Sequence, residues 1–213
     1  MIDLRWRDLR SVLCLGAHSD DIEIGAGATL IRLIRENPGL KVAWVVFAGA
    51  GARGDEARAS AARFLQGAGA AAVEIFDYRD GRFPEQWAAI KDSFEGLKRH
   101  EPDLVFTHYG RDLHQDHRTI SELTWNAFRD HMILEYEIPK WDGGLGSPNV
   151  FAPASVADTD LKIAWLMEFF GTQRSKHWFD DLTFRGLMRL RGMESCAPEA
   201  LAEAFYGRKV RLG

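Results

Sequence analysis

Cysteine is scarce in this chain, and long apolar runs are missing. The two cysteines, Cys14 and Cys196, make no closely spaced pair, which excludes a disulfide framework and indicates a reducing compartment. No stretch approaches the roughly 18 unbroken apolar residues that a membrane span needs. The first ten residues alternate charged and apolar types, where a signal peptide would have an apolar run. We therefore expect a cytoplasmic protein with no membrane span.

An excess of positive charge is also missing. Lysine and arginine number 27 against 31 aspartates and glutamates, for a formal net charge of -4. Binding through nucleic-acid phosphates has no global electrostatic support, so we predict no nucleic-acid partner. The chain has 213 residues, of which 46% are hydrophobic. That is enough for one domain with a core of its own, and we assign residues 1–213 to a single domain.

Short apolar runs alternate with helical patterns over residues 1–138. Strands are predicted over 11–17, 41–48, 72–76, 103–107 and 132–138, and helices over 25–35, 55–65, 84–99 and 116–131. This alternation predicts an α/β fold, with a Rossmann-like, doubly wound, mainly parallel sheet and helices on both faces.

Residues 139–213 differ in composition from the predicted core. The stretch 141–153 is rich in Gly, Pro, Asn and Ser and is predicted to be a loop. Helices are predicted over 158–170, capped by Asp158 or Thr159, and over 179–191 and 198–206. We interpret this part as a substrate-specificity loop and C-terminal helices, which could complete a pocket alone or in a homo-oligomer.

Two polar clusters follow the first and fourth predicted strands. Because ligands of an open parallel sheet bind beyond the carboxyl ends of its strands, both clusters should lie at one edge. Two imidazoles and a carboxylate suit Zn²⁺, although another divalent metal would fit, and zinc lowers the pKa of bound water from about 15.7 to near 7. A spare carboxylate and imidazole could then act as base and acid. The alternative is that one aspartate caps a helix and the histidines are surface residues. The clusters contain His18, Asp20, Asp21, His114, Asp116 and His117.

The segment 16–27, GAHSDDIEIGAG, resembles the signature of the PIG-L/LmbE-like zinc-dependent N-acetylglucosamine deacetylases. The segment 114–117, HQDH, is similar to the second motif of that family. Arg53 with Glu56, Asp80 with Gly81, and the segment 202–205 (AEAF) are weaker similarities. One departure is Ser19, where the family usually has proline; serine makes the turn less stiff but removes no ligand.

The resemblance implies a function and a set of roles. The chain would be a zinc-dependent hydrolase that removes the N-acetyl group from a small amino sugar, a nucleotide sugar or another amino-sugar conjugate. The amide cleaved would be linear and not a peptide bond. Zinc would be held by His18, Asp21 and His117. Asp20 would be the general base, His114 the acid or oxyanion stabiliser, and Asp116 would tune His114. Arg53 and Asp80 would contact the substrate. The other four histidines receive no role.

A second hypothesis starts from a glycine-rich loop. Gly49, Gly51 and Gly54 match the GxGxxG pattern of dinucleotide sites. On that basis the chain would be a non-catalytic or redox nucleotide-binding module. The pattern follows the second strand instead of the first, so a mobile active-site loop is the competing interpretation. Trp141, Trp165 and Trp178 could likewise line a sugar site or pack in the interior.

Overall fold

The structure, a computed structural model, describes residue 6 and residues 8–211. A seven-stranded sheet has the order β3-β2-β1-β4-β5-β7-β6. Its strands are β1 (Ser11–Gly16), β2 (Lys41–Val46), β3 (Ala70–Ile75), β4 (Leu104–His108), β5 (Met132–Tyr136), β6 (Val150–Pro153) and β7 (Ala202–Gly207). The α-helices are α1 (Asp21–Glu36), α2 (Ala52–Phe64), α3 (Trp87–Leu97), α4 (Gln115–Ala127), α5 (Val156–Phe169) and α6 (Asp181–Glu194).

Both faces of the sheet are covered, which confirms the predicted α/β class. Strands β1 to β5 run parallel, and their apolar residues alternate between two cores. Val12 and Cys14 of β1 belong to the core that α1, α2, α5 and α6 cover. Leu13 and Leu15 belong to the core under α3 and α4. A strand buried on both faces is apolar throughout, which is why the sequence showed continuous runs.

The prediction of a helix over residues 198–206 is wrong. Most of that stretch lies in β7, which pairs antiparallel with β5 on one side and β6 on the other. Alanine and glutamate favour helix locally, but the backbone of two neighbouring strands overrides that preference here. The sheet therefore continues beyond residue 138 and is not completed by the first part of the chain.

Other predicted boundaries shift by a few residues. The predicted loop 141–153 ends in the edge strand β6, where Pro153 is tolerated because an edge strand has fewer ladder bonds to make. The cap of α5 is Ser155, whose side chain accepts the Asp158 backbone N–H. Helix α1 begins four residues earlier than predicted, at Asp21. Among the described residues, no helix has the length and apolar character needed to cross a membrane.

A buried ion pair braces the middle of α1. Glu203 of β7 accepts the backbone N–H groups of Ala28 and Thr29 at 2.9 and 2.7 Å. Lys162 of α5 donates to Glu203 at 2.7 Å and to the Ile24 carbonyl at 2.7 Å. Glu203 and Lys162 are almost completely buried. The pair thus connects α5 and β7 to α1, the helix that begins with Asp20 as its cap and Asp21 as its first residue.

Removing one partner of this pair should strongly destabilise the protein. We expect Glu203→Ala to lower the free energy of unfolding by about 3–5 kcal/mol, because it leaves a buried ammonium without a counter-charge. The double variant Glu203→Gln with Lys162→Met removes both charges and should recover a large part of that loss. Urea denaturation measures both values. A double variant no more stable than Glu203→Ala would contradict this account.

Candidate metal centre and active site

The two polar clusters meet at the carboxyl edge of the sheet. Strands β1 and β4 are parallel neighbours, and each is followed by a short turn and a helix. His18 lies in the turn after β1, and Asp21 is the first residue of α1. His114 is the N-cap of α4, and His117 lies in its first turn. The strand order reverses between β1 and β4, which is where an open α/β sheet forms its crevice.

The side chains of His18, Asp21 and His117 converge on one point. Nδ1 of His18 lies 3.1 Å from Nε2 of His117 and 3.3 Å from Oδ2 of Asp21. Nε2 of His117 lies 3.6 Å from Oδ1 of Asp21. Tetrahedral coordination with bonds of about 2.1 Å would place its ligand atoms about 3.4 Å apart. All three side chains are buried, so the spacing fits three ligands of one ion.

Carboxylates lie within hydrogen-bond distance of the outer nitrogens of both histidines. Nδ1 of His117 lies 3.0 Å from Oδ2 of Asp112. Nε2 of His18 lies 3.3 Å from Asp116 and 3.1 Å from Asp80. Since an ionised carboxylate only accepts, each outer nitrogen carries the proton. The inner nitrogen of His18 also faces Oδ2 of Asp21 at 3.3 Å, so a proton fits there when no cation is bound, and a cation shared by both inner nitrogens would take the place of that proton.

The negative charges around His18 also favour a cation at this position. Burial alone lowers the pKa of His18, but Asp21, Asp116 and Asp80 outweigh burial and raise this pKa well above its usual value. Burial raises the pKa of Asp21, but nearby histidines outweigh that effect and hold it well below its usual range. A proton on His18 compensates the negative charge of these carboxylates. A divalent ion at the same place would compensate it as well.

Within the part of the chain that the structure describes, three overlapping sets of possible ligand atoms occur, and the atoms of each set lie within 4.8 Å of one another. They are His18, His114 and His117; His18, Asp80, His114 and Asp116; and Asp21, His108 and His117. Asp20 belongs to none of them, whereas His18, Asp21 and His117 each belong to at least one, although no single set contains all three. His114 belongs to two, so it lies directly beside the ligands.

Asp20 is buried next to these candidate ligands. It is the N-cap of α1, but its side chain makes no capping hydrogen bond. Burial and the Asp21 carboxylate raise the pKa of Asp20 to about 6, although Arg53 and His18 oppose them. A guanidinium nitrogen of Arg53 lies 3.9 Å from Asp20, and another donates to Asp80 at 2.5 Å. Arg53, in the first turn of α2, thus borders the candidate metal centre.

Asp116 and His114 are arranged differently from the expectation. The Asp116 carboxylate accepts the backbone N–H groups of Gly81 and Phe83 at 2.6 and 3.1 Å and contacts His18. Nδ1 of His114 instead accepts the Asp116 backbone N–H at 3.2 Å. Burial and His18 lower the pKa of His114, outweighing Asp116. The backbone therefore orients His114, with its proton on Nε2.

Sequence reasoning gave no role to two residues that the structure places in the centre. His108, the last residue of β4, is fully buried, and its Nε2 accepts the Ala17 N–H at 2.9 Å. Its ring stacks on that of His117 at a centroid distance of 3.9 Å. Asp112 holds the outer nitrogen of the same His117. The available signal for His108 was its position at the end of a strand beside β1. The other three histidines lie outside the centre: His100, His131 and His177 contact Glu74, Asp130 and Trp141.

The three tryptophans differ in surroundings. Trp165 packs on Phe64, and Trp178 packs edge-on against Phe179. Trp141 is 64% exposed, and its Nε1 donates to the imidazole of His177 at 2.5 Å. It directly follows Lys140, whose ammonium contacts Asp112. Trp141 is thus the tryptophan of the three that offers a surface near the centre.

The sequence model of the PIG-L family, described as GlcNAc-PI de-N-acetylase, matches residues 13–128. The Escherichia coli K12 protein named "Uncharacterized deacetylase YaiS" is 28% identical over 168 residues, covering 74% of this chain and 89% of that protein.

Two solved structures share the fold across almost the whole chain. N,N'-diacetylchitobiose deacetylase from Pyrococcus horikoshii has a TM-score of 0.72 at 21% identity, covering 94% of this chain and 84% of that one. GalB, the 4-carboxy-2-hydroxymuconate hydratase from Pseudomonas putida KT2440, has a TM-score of 0.73 at 19% identity, covering 96% and 98%. Because one neighbour is a deacetylase and the other a hydratase, the shared fold does not select the reaction.

Proposed function

The chain belongs to the PIG-L family, and we propose that it is a metal-dependent hydrolase that removes the acetyl group from the nitrogen of an amino sugar or an amino-sugar conjugate. The observation that carries this proposal is the pair of inner nitrogens of His18 and His117, which face each other beside the Asp21 carboxylate. Two imidazoles and one carboxylate are a ligand set that suits Zn²⁺ in a catalytic site with an open position. We therefore assign His18, Asp21 and His117 as ligands.

Chemically, a divalent ion at this place supplies a Lewis acid and lowers the pKa of water. The proton that water loses has an acceptor in Asp20, which is buried beside the ligands and makes no cap bond. Its pKa of about 6 leaves Asp20 mostly ionised at pH 7. A carboxylate with a pKa close to the working pH is well suited to hold a proton and return it to the departing nitrogen.

His114 is the donor to the carbonyl side of the amide. Its backbone-bonded Nδ1 leaves the Nε2 hydrogen free, and burial together with His18 lowers the pKa of the imidazole, which favours its neutral form. A neutral donor aimed at the position where negative charge develops stabilises the tetrahedral intermediate without prior protonation. Asp116 acts on this step indirectly, since its carboxylate orients His18 and its backbone N–H orients His114.

We assign substrate selection to residues that surround the metal centre. Arg53 and Asp80 form an ion pair next to Asp20 and His18, and their free hydrogen-bonding positions suit sugar hydroxyls. We assign residues 139–213 the role of completing the pocket, and the exposed face of Trp141 suits stacking against a second ring or aglycone of a conjugate. We also propose a cytoplasmic location, which the two free cysteines favour.

Stacking on Trp141 should make the effect of its replacement on KM depend on the substrate. Trp141→Ala should raise KM for N-acetylated aryl glycosides about tenfold, because stacking of two aromatic rings contributes about 0.5–1.5 kcal/mol beyond the area that it buries, and KM for N-acetylated disaccharides should rise in the same direction. The KM for the free N-acetylated monosaccharide should stay within about twofold. Steady-state kinetics on both substrates measures this, with Trp165→Phe as a control away from the centre. Equal loss on both substrates would contradict a subsite at Trp141.

The reaction itself is tested by acetate release. Purified protein loaded with Zn²⁺ should liberate acetate from at least one member of a panel of N-acetylated amino sugars, free, nucleotide-linked and glycosidic. The nucleotide-binding hypothesis has less support, because the glycine loop follows β2 while the crevice lies between β1 and β4. Binding of a dinucleotide, with no acetate released across the panel, would favour that hypothesis instead.

A further inference from the structure

Asp112 links a proposed metal ligand to the start of the specificity loop. Its Oδ2 atom lies 3.0 Å from Nδ1 of His117. The ammonium of Lys140 lies 2.8 Å from the same Oδ2 and 2.7 Å from Oδ1. Oδ1 also accepts the backbone N–H of His114 at 2.8 Å. One carboxylate therefore holds both histidines of α4 and shares its charge with a lysine from the next loop.

All partners in this contact are shielded from solvent. The side chains of Asp112 and Lys140 are 5% and 10% exposed, and that of His117 is 2% exposed. Water screens buried charges weakly, so removing one of them changes the electrostatic energy of the others. The Arg53–Asp80 pair beside His18 has the same layout, but Asp80 is 51% exposed. Of the two pairs, the one at Lys140 acts on its histidine more strongly.

We propose that Lys140 is a positioning and charge-balancing residue that weakens metal binding at His117, in opposition to Asp112, which strengthens it. This inference rests on the metal centre of the proposed function. A carboxylate that accepts the outer N–H of a ligand histidine raises the basicity of the inner nitrogen and tightens metal binding. Lys140 bonds to both oxygens of that carboxylate, which reduces the negative charge that Asp112 presents to His117.

The expected consequence is a centre with a lower affinity for metal, in which a bound ion would be more electrophilic. A less basic His117 donates less charge, so the ion held by it remains a stronger Lewis acid. Lys140 also adds a buried positive charge that directly opposes a divalent cation. Because Lys140 begins the loop that carries Trp141, the same contact fixes the base of that loop to the metal centre.

The test measures metal affinity and not only turnover. Zn²⁺ dissociation constants of the stripped full-length protein are obtained by competition with a chromophoric chelator. We expect Lys140→Met and Lys140→Gln to bind Zn²⁺ about fivefold or more tighter than the wild type, from the loss of an opposing charge. Asp112→Asn should bind about 10–100-fold more weakly. Lys140→Arg should stay close to the wild type.

Three controls separate this inference from a purely structural role. Lys98→Met removes one positive charge from an exposed site paired with Glu95 and should leave Zn²⁺ affinity unchanged. Urea denaturation of the stripped variants checks folding, and Lys140→Gln keeps a hydrogen-bond donor if Lys140→Met folds poorly. Lower or unchanged Zn²⁺ affinity in folded Lys140→Gln would overturn the inference while the wild type still binds metal. A wild type that binds no metal would instead overturn the proposed function.

Discussion

Replacing Asp20 by asparagine should remove almost all turnover while metal stays bound. Asp20 lies outside the sets of possible ligand atoms found among the described residues, and the amide of asparagine fills the same space without accepting a proton from water. General acid–base catalysis contributes about 10²–10⁴-fold, so kcat should fall by that factor. Steady-state kinetics on the best substrate of the acetate-release panel, together with metal analysis of the same preparation, measures both quantities.

The control for Asp20→Asn is Asp80→Asn. Asp80 is half exposed and pairs with Arg53 and with the outer nitrogen of His18, so its loss should raise KM and weaken metal binding, while kcat at saturating metal should change little. If Asp20→Asn loses its metal as completely as a ligand variant does, then Asp20 is a ligand and the division of roles between the adjacent aspartates is wrong. A kcat within about twofold of the wild type would remove Asp20 from the mechanism.

Replacing His117 by alanine should instead abolish metal binding itself. Its Nε2 is one of the two facing nitrogens, and the ring is held by Asp112 on one side and stacked on His108 on the other. Loss of an outer partner typically costs about 10–100-fold in affinity, so loss of a ligand should cost more. Asp21→Ala should behave in the same way. Isothermal titration of the stripped variants with Zn²⁺ measures the loss.

His100→Ala provides the matched histidine control. His100 pairs with Glu74, precedes β4 and so lies away from the carboxyl end of that strand, and belongs to none of the ligand groups found among the described residues. Its Zn²⁺ affinity should equal that of the wild type. Near-normal affinity in His117→Ala would assign the ion to the set that lacks His117, which consists of His18, Asp80, His114 and Asp116.

The parallel core could be predicted because burial on both faces leaves a simple pattern. Strands β1, β2 and β4 are continuous apolar runs, and each is followed by glycine or polar residues and a helix. The convergence of His18 and His117 followed from the same pattern, since parallel neighbours end at one edge. These parts of the structure are determined by local sequence and by the general geometry of parallel sheets.

The parts that could not be predicted depend on distant contacts. The stretch 202–207 has the local composition of a helix, and only pairing with β5 and β6 makes it a strand. The role of Asp112 depends on Lys140, 28 positions further along the chain. The direction of the Asp116 carboxylate depends on backbone N–H groups of Gly81 and Phe83. No spacing rule within one motif contains this information.

The most direct test of the central claim is reconstitution of acetate release with metal. Protein stripped by a chelator is titrated with Zn²⁺ while acetate release from its best substrate is measured. If His18, Asp21 and His117 hold one catalytic ion, activity should be absent at the start, rise linearly and level off at one equivalent per chain. Full activity of the stripped protein, with no response to Zn²⁺ or another divalent metal, would contradict the account.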